Sequence, residues 1–252
     1  MLRIVALWTI LFVGIMATVN EAVLGTFPAK RKSRIETIKE YVSKTPRRRR
    51  TEIERGNPPK WAPKGGSPTL HTIDVVDLKG ETIRLDKRNF PDAKLFLIVS
   101  IATASEHVSQ MYGFTKLHRK FYDRGLQIVA FPSNSFNLEP LESEKILPHL
   151  YKKYGVTFPV MAKCAVNGES GQNIFSWLKV ASAERGETKS WGSHDTSGLS
   201  ELDLQSDYEK FLVYQVKDRE HVLRFSYDVT PDDLIGHIQS VFQLVEGRKL
   251  EL

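Results

Sequence analysis

With 252 residues, 41% of them hydrophobic, the chain has the length and apolar content for one domain of roughly 150 to 200 residues plus extensions. The formal net charge of +6 is concentrated in Lys30 to Lys64, which holds roughly 13 basic and 4 acidic side chains. The remainder is slightly acidic, so the charge does not mark the fold as a specific nucleic-acid binder. One cysteine, Cys164, excludes an internal disulfide and a two-thiol cycle within one molecule.

After Arg3, Ile4 to Val19 is an apolar run of about 16 residues, at the short limit for spanning a bilayer and the long limit for a signal-peptide core. Residues 1–25 are expected to be a signal peptide or a signal anchor. Either role sends the chain into the secretory pathway, secreted or held in a membrane by a single span at residues 4–19. Val23-Leu24-Gly25 offers small residues for cleavage, whereas Lys30, Arg31, Lys32 and Arg34 favour a cytoplasmic flank for an uncleaved segment. Both readings stay open, beside the plainer one of a buried core helix. Residues 26–67 form a basic linker: Arg47 to Arg50 is a block, and Asn57-Pro58-Pro59, Pro63 and Gly65-Gly66 break any periodic pattern. The arginine block reads as solvated charge, a lipid-headgroup contact or a basic processing site.

Residues 68–246 carry the globular pattern, with 247–252 as a tail. Thr69 to Val76 and Glu81 to Leu85 around Lys79-Gly80 predict a hairpin. Lys94 to Ile101 contains LFLIVSI, a buried central strand. Ser109 to Asp123 predicts an amphipathic helix stopped at Arg124-Gly125. Leu126 to Phe131 is a second buried strand, and Glu142 to Tyr154 a helix that Pro148 should kink or shorten. Phe158 to Val166 predicts a strand closed by Asn167-Gly168, and Gln172 to Val180 a helix whose Trp177 covers core. Ala183 to Gln205 is long, polar and rich in Gly and Ser, an independent surface loop with Trp191 as its one large anchor. Lys210 to Val216 and His221 to Tyr227 predict a second hairpin. Pro231 to Leu244 closes the chain as a helix capped by Thr230.

This order, strand-helix-strand early and strand-strand-helix late, predicts an α/β thioredoxin-like fold: a central mixed β-sheet flanked by helices. Four blocks sharpen the reading. LFLIVSIATAS (Leu95 to Ser105) is similar to the strand of glutathione peroxidases that ends in Asn-Val-Ala-Ser-x-Cys, or selenocysteine. GLQIVAFPSNSF (Gly125 to Phe136) resembles their Gly-Leu-x-Ile-Leu-x-Phe-Pro-Cys-Asn-Gln-Phe. YGVTFPVMAKCAVNGES (Tyr154 to Ser170) and DYEKFLV (Asp207 to Val213) resemble two later family segments. The resemblance runs from about Thr69 to Phe242.

The resemblance implies peroxide reduction by a thiolate or selenolate, with glutathione or thioredoxin as co-substrate and no bound cofactor or metal. It also implies that this chain has replaced the chemistry. The attacking position falls at Ser105, or at Ala104 under a shifted alignment. The family's glutamine falls at Ser135, its tryptophan at Ser206 and its asparagine at Asp207. A serine hydroxyl stays protonated at neutral pH and has no stable analogue of a sulfenic acid. The expectation is a catalytically silent relative that binds or scaffolds a protein partner. The alternatives are an active thiol-dependent peroxidase using Cys164, or a sensor that still takes thiols or lipid hydroperoxides.

Other residues have plainer readings. Cys164 is expected to be a buried packing thiol and Asn134 a brace for the loop beside the former active site. Ser105-Glu106-His107 with Asp207 invites a hydrolase reading, but no Gly-x-Ser-x-Gly elbow surrounds Ser105. His107, His118, His194 and Asp207 lack zinc-ligand spacing.

Overall fold

The computed structural model describes residues 68–168, 171–184, 188–189 and 202–247. All of them belong to the compact unit Arg34–Leu252. The segments at 1–25 and 26–67, the tail after 247, and Trp191 and His194 lie outside the described residues.

Two short strands, β1 (Asp74–Val76) and β2 (Thr82–Arg84), pair antiparallel as the first hairpin. Leu70–Thr72, expected to be extended, is a 3-10 turn. The main sheet is built from β3 (Leu95–Ile101), β4 (Leu126–Pro132), β5 (Thr188–Lys189), β6 (Lys210–Val216) and β7 (Arg219–Phe225), in the order β4-β3-β6-β7-β5. β3 runs parallel to β4 and antiparallel to β6, so the sheet is mixed. Four helices cover it: α1 (Gln110–Phe121), α2 (Ser143–Tyr154), α3 (Asn173–Glu184) and α4 (Leu234–Val245). This is the predicted thioredoxin-like α/β arrangement.

Every residue of β3 and β4 is buried, which requires cover on both faces. Because successive side chains alternate, each strand feeds two cores. Leu95, Leu97, Val99 and Ile101 pack with residues of α1, α2 and α4, including Phe114, Leu150 and Ile238. Phe96 and Ile98 pack on the other face with Ile174, Phe175 and Leu178 of α3. Trp177, buried there, donates its ring N–H to the Pro68 carbonyl at 2.9 Å. Gly125 sits at φ +103 between α1 and β4, and a Cβ there would lie 2.7 Å from the Asp92 carbonyl oxygen. Only glycine fits this helix stop without strain.

Four further expectations change. α2 continues six residues beyond Pro148, because the lost helical bond falls at an exposed turn where water can serve Glu144. Phe158 to Val166 is not a regular strand. It follows the β4 edge through isolated bridges such as Ala130↔Val160, since Pro159 has no N–H to continue a ladder. α4 proper starts at Leu234, not Pro231, although Thr230 and Asp233 still exchange hydrogen bonds as a cap. The Ala183 to Gln205 segment is not wholly independent, for Thr188–Lys189 pairs parallel with β7 and Leu202 to Gln205 is pinned to the domain.

Candidate functional site

The carboxyl ends of β3 and β4 and the start of the antiparallel β6 lie at one end of the sheet, the end where α/β sheets commonly hold their sites. Three loops meet there: Ala102 to Ser109 after β3, Ser133 to Glu142 after β4, and Leu202 to Glu209 before β6.

Ser105 is 4% exposed and Asp207 is fully buried. The Ser105 hydroxyl donates to Asp207 Oδ1 at 3.0 Å, and Ser206 Oγ donates to the same oxygen at 3.0 Å. Ser105 Oγ also accepts the His107 backbone N–H at 3.1 Å, which caps the 3-10 turn Glu106–Ser109 leading into α1. A carboxylate therefore faces a helical N-terminus through one hydroxyl, a favourable placement of negative charge. Asp207 Oδ2 is buried and has no hydrogen-bond partner.

The backbone that presents Asp207 is strained and held. Tyr208 has φ 63, a left-handed conformation unusual for an aromatic residue. Its N–H donates to the Ser100 carbonyl at 2.6 Å, its hydroxyl donates to the Ala102 carbonyl at 3.2 Å, and burial pushes its phenol well above the ordinary value. Such strain costs about 1 to 3 kcal/mol and persists only where the surroundings enforce it. Behind Tyr208, the fully buried Arg224 of β7 pairs with Glu209 at 2.7 Å and donates to the Leu202 and Asp203 carbonyls. Lys179 of α3 adds an ion pair to Asp203 at 2.8 Å, with burial lowering its amine and Asp203 opposing that shift. Lys210 donates to the carbonyls of Ser226, Tyr227 and Val229. Burial draws that amine down to about 7, but three carbonyl acceptors call for three N–H donors, so we take it as an ammonium.

The second loop is braced from within. Glu139, 1% exposed, accepts the Thr103 N–H at 2.8 Å, the Thr103 hydroxyl at 2.7 Å and the Leu141 N–H at 3.1 Å. Asn134 Oδ1 accepts the Glu139 N–H at 3.0 Å. Ser135 is exposed and turned elsewhere: its hydroxyl accepts from Ser133 Oγ at 3.0 Å and from the Val166 N–H at 3.1 Å. The structure thus joins Ser105, Ser206 and Asp207 directly and leaves Ser135 outside their hydrogen-bonded group.

His107 does not complete a hydrolase triad. The Ser105 hydroxyl donates its hydrogen bond to Asp207 and none to His107, whose imidazole packs on Tyr227 at 4.9 Å between centroids and sits 3.6 Å from Glu106. Cys164, expected to be buried, is half-buried: it packs against the core on the α3 face, its N–H bonded to the Pro132 carbonyl, and loss of water around it pushes its thiol up to about 12. Arg224, Glu209 and Glu139 were not singled out by the sequence. Arg224 and Glu209 were signalled only by charge inside or beside apolar strand patterns, as in LRF and EKF, and Glu139, in the loop after β4, had no such signal.

Sheet order, paired helical layers and a site at the carboxyl edge define a thioredoxin-fold protein. The glutathione peroxidase family model matches residues 70–179. The chain is 30% identical over 174 residues to "Glutathione peroxidase-like peroxiredoxin 2" of Saccharomyces cerevisiae, covering 69% of this chain and 96% of that protein. It is 32% identical over 174 residues to "Thioredoxin/glutathione peroxidase BtuE" of Escherichia coli, covering 66% and 92%. Among solved structures, T. cruzi GPX1 aligns with 18% identity and a TM-score of 0.47, covering 71% of this chain and 97% of that one. The chain belongs to the glutathione peroxidase family.

Proposed function

We propose that this member of the family is catalytically silent and works as a binding or scaffolding module. The observation that carries the reading is the Ser105–Asp207 hydrogen bond. At the position where the family resemblance puts the attacking sulfur there is an oxygen, and a buried carboxylate faces it. Splitting an O–O bond requires a nucleophile that is ionised and can hold the transferred oxygen, as a thiolate does on forming a sulfenic acid. A hydroxyl that donates to a carboxylate is protonated. The same carboxylate would oppose an anion at that spot, where an active site would offer hydrogen-bond donors. Cys164 does not replace the missing thiol. With its pKa raised to about 12 by desolvation, the thiol stays protonated at neutral pH.

The test uses the full chain with hydrogen peroxide or a lipid hydroperoxide, and glutathione or thioredoxin as reductant. Thiol-dependent consumption should not exceed that of a Ser105→Ala variant. Turnover lost on Cys164→Ser would instead establish a peroxidase working through Cys164, and titration with glutathione separates a thiol-binding sensor from a protein scaffold. We further propose, from the apolar run at 4–19, that the protein enters the secretory pathway, either secreted or anchored. Protease protection on intact vesicles, with the mature amino terminus, decides between them.

A further inference from the structure

α2 and the chain that follows it enclose a groove of about 540 Å³, within the range of sites that take a large side chain or a small ligand. Leu147, Val156 and Phe158 line it along with Pro148, Tyr151 and Pro159. Tyr151 is 64% exposed, and no helix of the described residues covers it. Stiff aromatic and proline surfaces of this kind bind extended peptides at low entropic cost.

The charge around the groove selects the occupant. Two cations stand beside it: Lys152, next to Tyr151 on α2, and Arg119 of α1, next to Gly155. Both are exposed, in a domain that is acidic as a whole. At the Gly155 end of the groove the Arg119 guanidinium lies 3.5 Å from where a Gly155 Cβ would stand. Lys152 follows Pro148 by one helical turn and Glu144 precedes it by one, so both share its side of α2, and with Arg119 the balance there is basic. The chain's own linker is strongly basic, the same sign as this face. A two-fold dimer through it would set Arg119 and Lys152 against their own copies. A membrane would be met by protruding apolar side chains, not by a concave slot.

We propose that this groove docks an acidic peptide segment of a partner protein, with an aromatic or branched apolar residue seated beside Tyr151 and carboxylates on Arg119 and Lys152. The groove shares no residue with the Ser105 site, so the proposal stands or falls apart from the absence of peroxidase activity.

The experiment is fluorescence anisotropy of the full chain with a short labelled peptide carrying one tryptophan among glutamates. Three probes run beside it: the same peptide with lysines for glutamates, the same with serine for tryptophan, and phosphatidylserine vesicles. The first peptide should bind, more weakly as salt rises. Tyr151→Ala and Lys152→Glu, both at exposed positions that leave the core intact, should each weaken it about ten-fold. The proposal is overturned if no peptide binds, if the lysine peptide or the vesicles are preferred, if Tyr151→Ala binds unchanged, or if sedimentation shows self-association that the same variants abolish.

Discussion

A sulfur placed at position 105 should not by itself be reactive, and the Ser105–Asp207 distance sets how far it falls short. In a Ser105→Cys variant, built on Cys164→Ser so that one thiol remains, ionisation would create a negative charge about 3.0 Å from the Asp207 carboxylate, the present oxygen–oxygen separation. At an effective dielectric constant near 20 that repulsion is about 5.5 kcal/mol, equivalent to about four pKa units. Half of that would still lift an ordinary thiol from about 8.5 to above 10 and leave it protonated at neutral pH. Adding Asp207→Asn removes the charge and keeps an oxygen for the Ser206 hydroxyl, so the thiol should titrate at least two units lower. The His107 N–H and the helical turn behind it then favour the thiolate. The assay is the rate of iodoacetamide alkylation between pH 6 and 11 for the two variants. Superimposed profiles would refute the claim that Asp207 opposes an anion at this spot.

In the native chain, Cys164 should resist a disulfide reagent at pH 7 for hours and react within minutes in denaturant, as a thiol raised to about 12 by burial requires; fast native labelling would contradict this. Glu209→Gln should destabilise the domain by about 3 to 5 kcal/mol, because it leaves the Arg224 guanidinium buried without its counter-charge. Thermal unfolding should fall by roughly 10 °C, and a shift under two degrees would show that the pair is dispensable. Burial lowers the His118 imidazole, and its Nε2 has no partner. The unfolded chain therefore binds the extra proton first as pH falls through about 6.5, and stability present above that value is lost below it. Urea midpoints between pH 7 and 5 should drop less for His118→Phe than for the native chain. Gly125→Ala should cost at least about 1 kcal/mol from its left-handed φ, and more from the 2.7 Å approach to Asp92.

The parts legible in the sequence are those set by local rules. LFLIVSI and LQIVAF are apolar without interruption because both faces of β3 and β4 are covered, and a buried strand cannot hide that composition. Gly125 marks its helix end because φ +103 tolerates little else. What failed were readings in which one residue was asked to decide a whole element. Pro148 sits inside α2 because its missing bond falls at an exposed turn. Pro159 disrupts an edge segment of similar apolar content because there the missing N–H faces β4. The cost of a proline depends on which neighbour goes unpaired, and that neighbour is fixed only by the fold. The site divides the same way. Ser105, Ser206 and Asp207 could be proposed from matched motifs, yet their meeting depends on a chain reversal that brings residues 102 apart in sequence to 3.0 Å. The buried charges that hold this reversal, Arg224 on Glu209 and Glu139 on Thr103, looked in the sequence like ordinary surface residues. Their burial is affordable only because the opposite partner, far along the chain, arrives at the same place. These charges and the left-handed Tyr208 hold the loops around Ser105 and Asp207 in one arrangement. Rigid loops at a sheet edge, more than any reactive atom, are what a binding module requires.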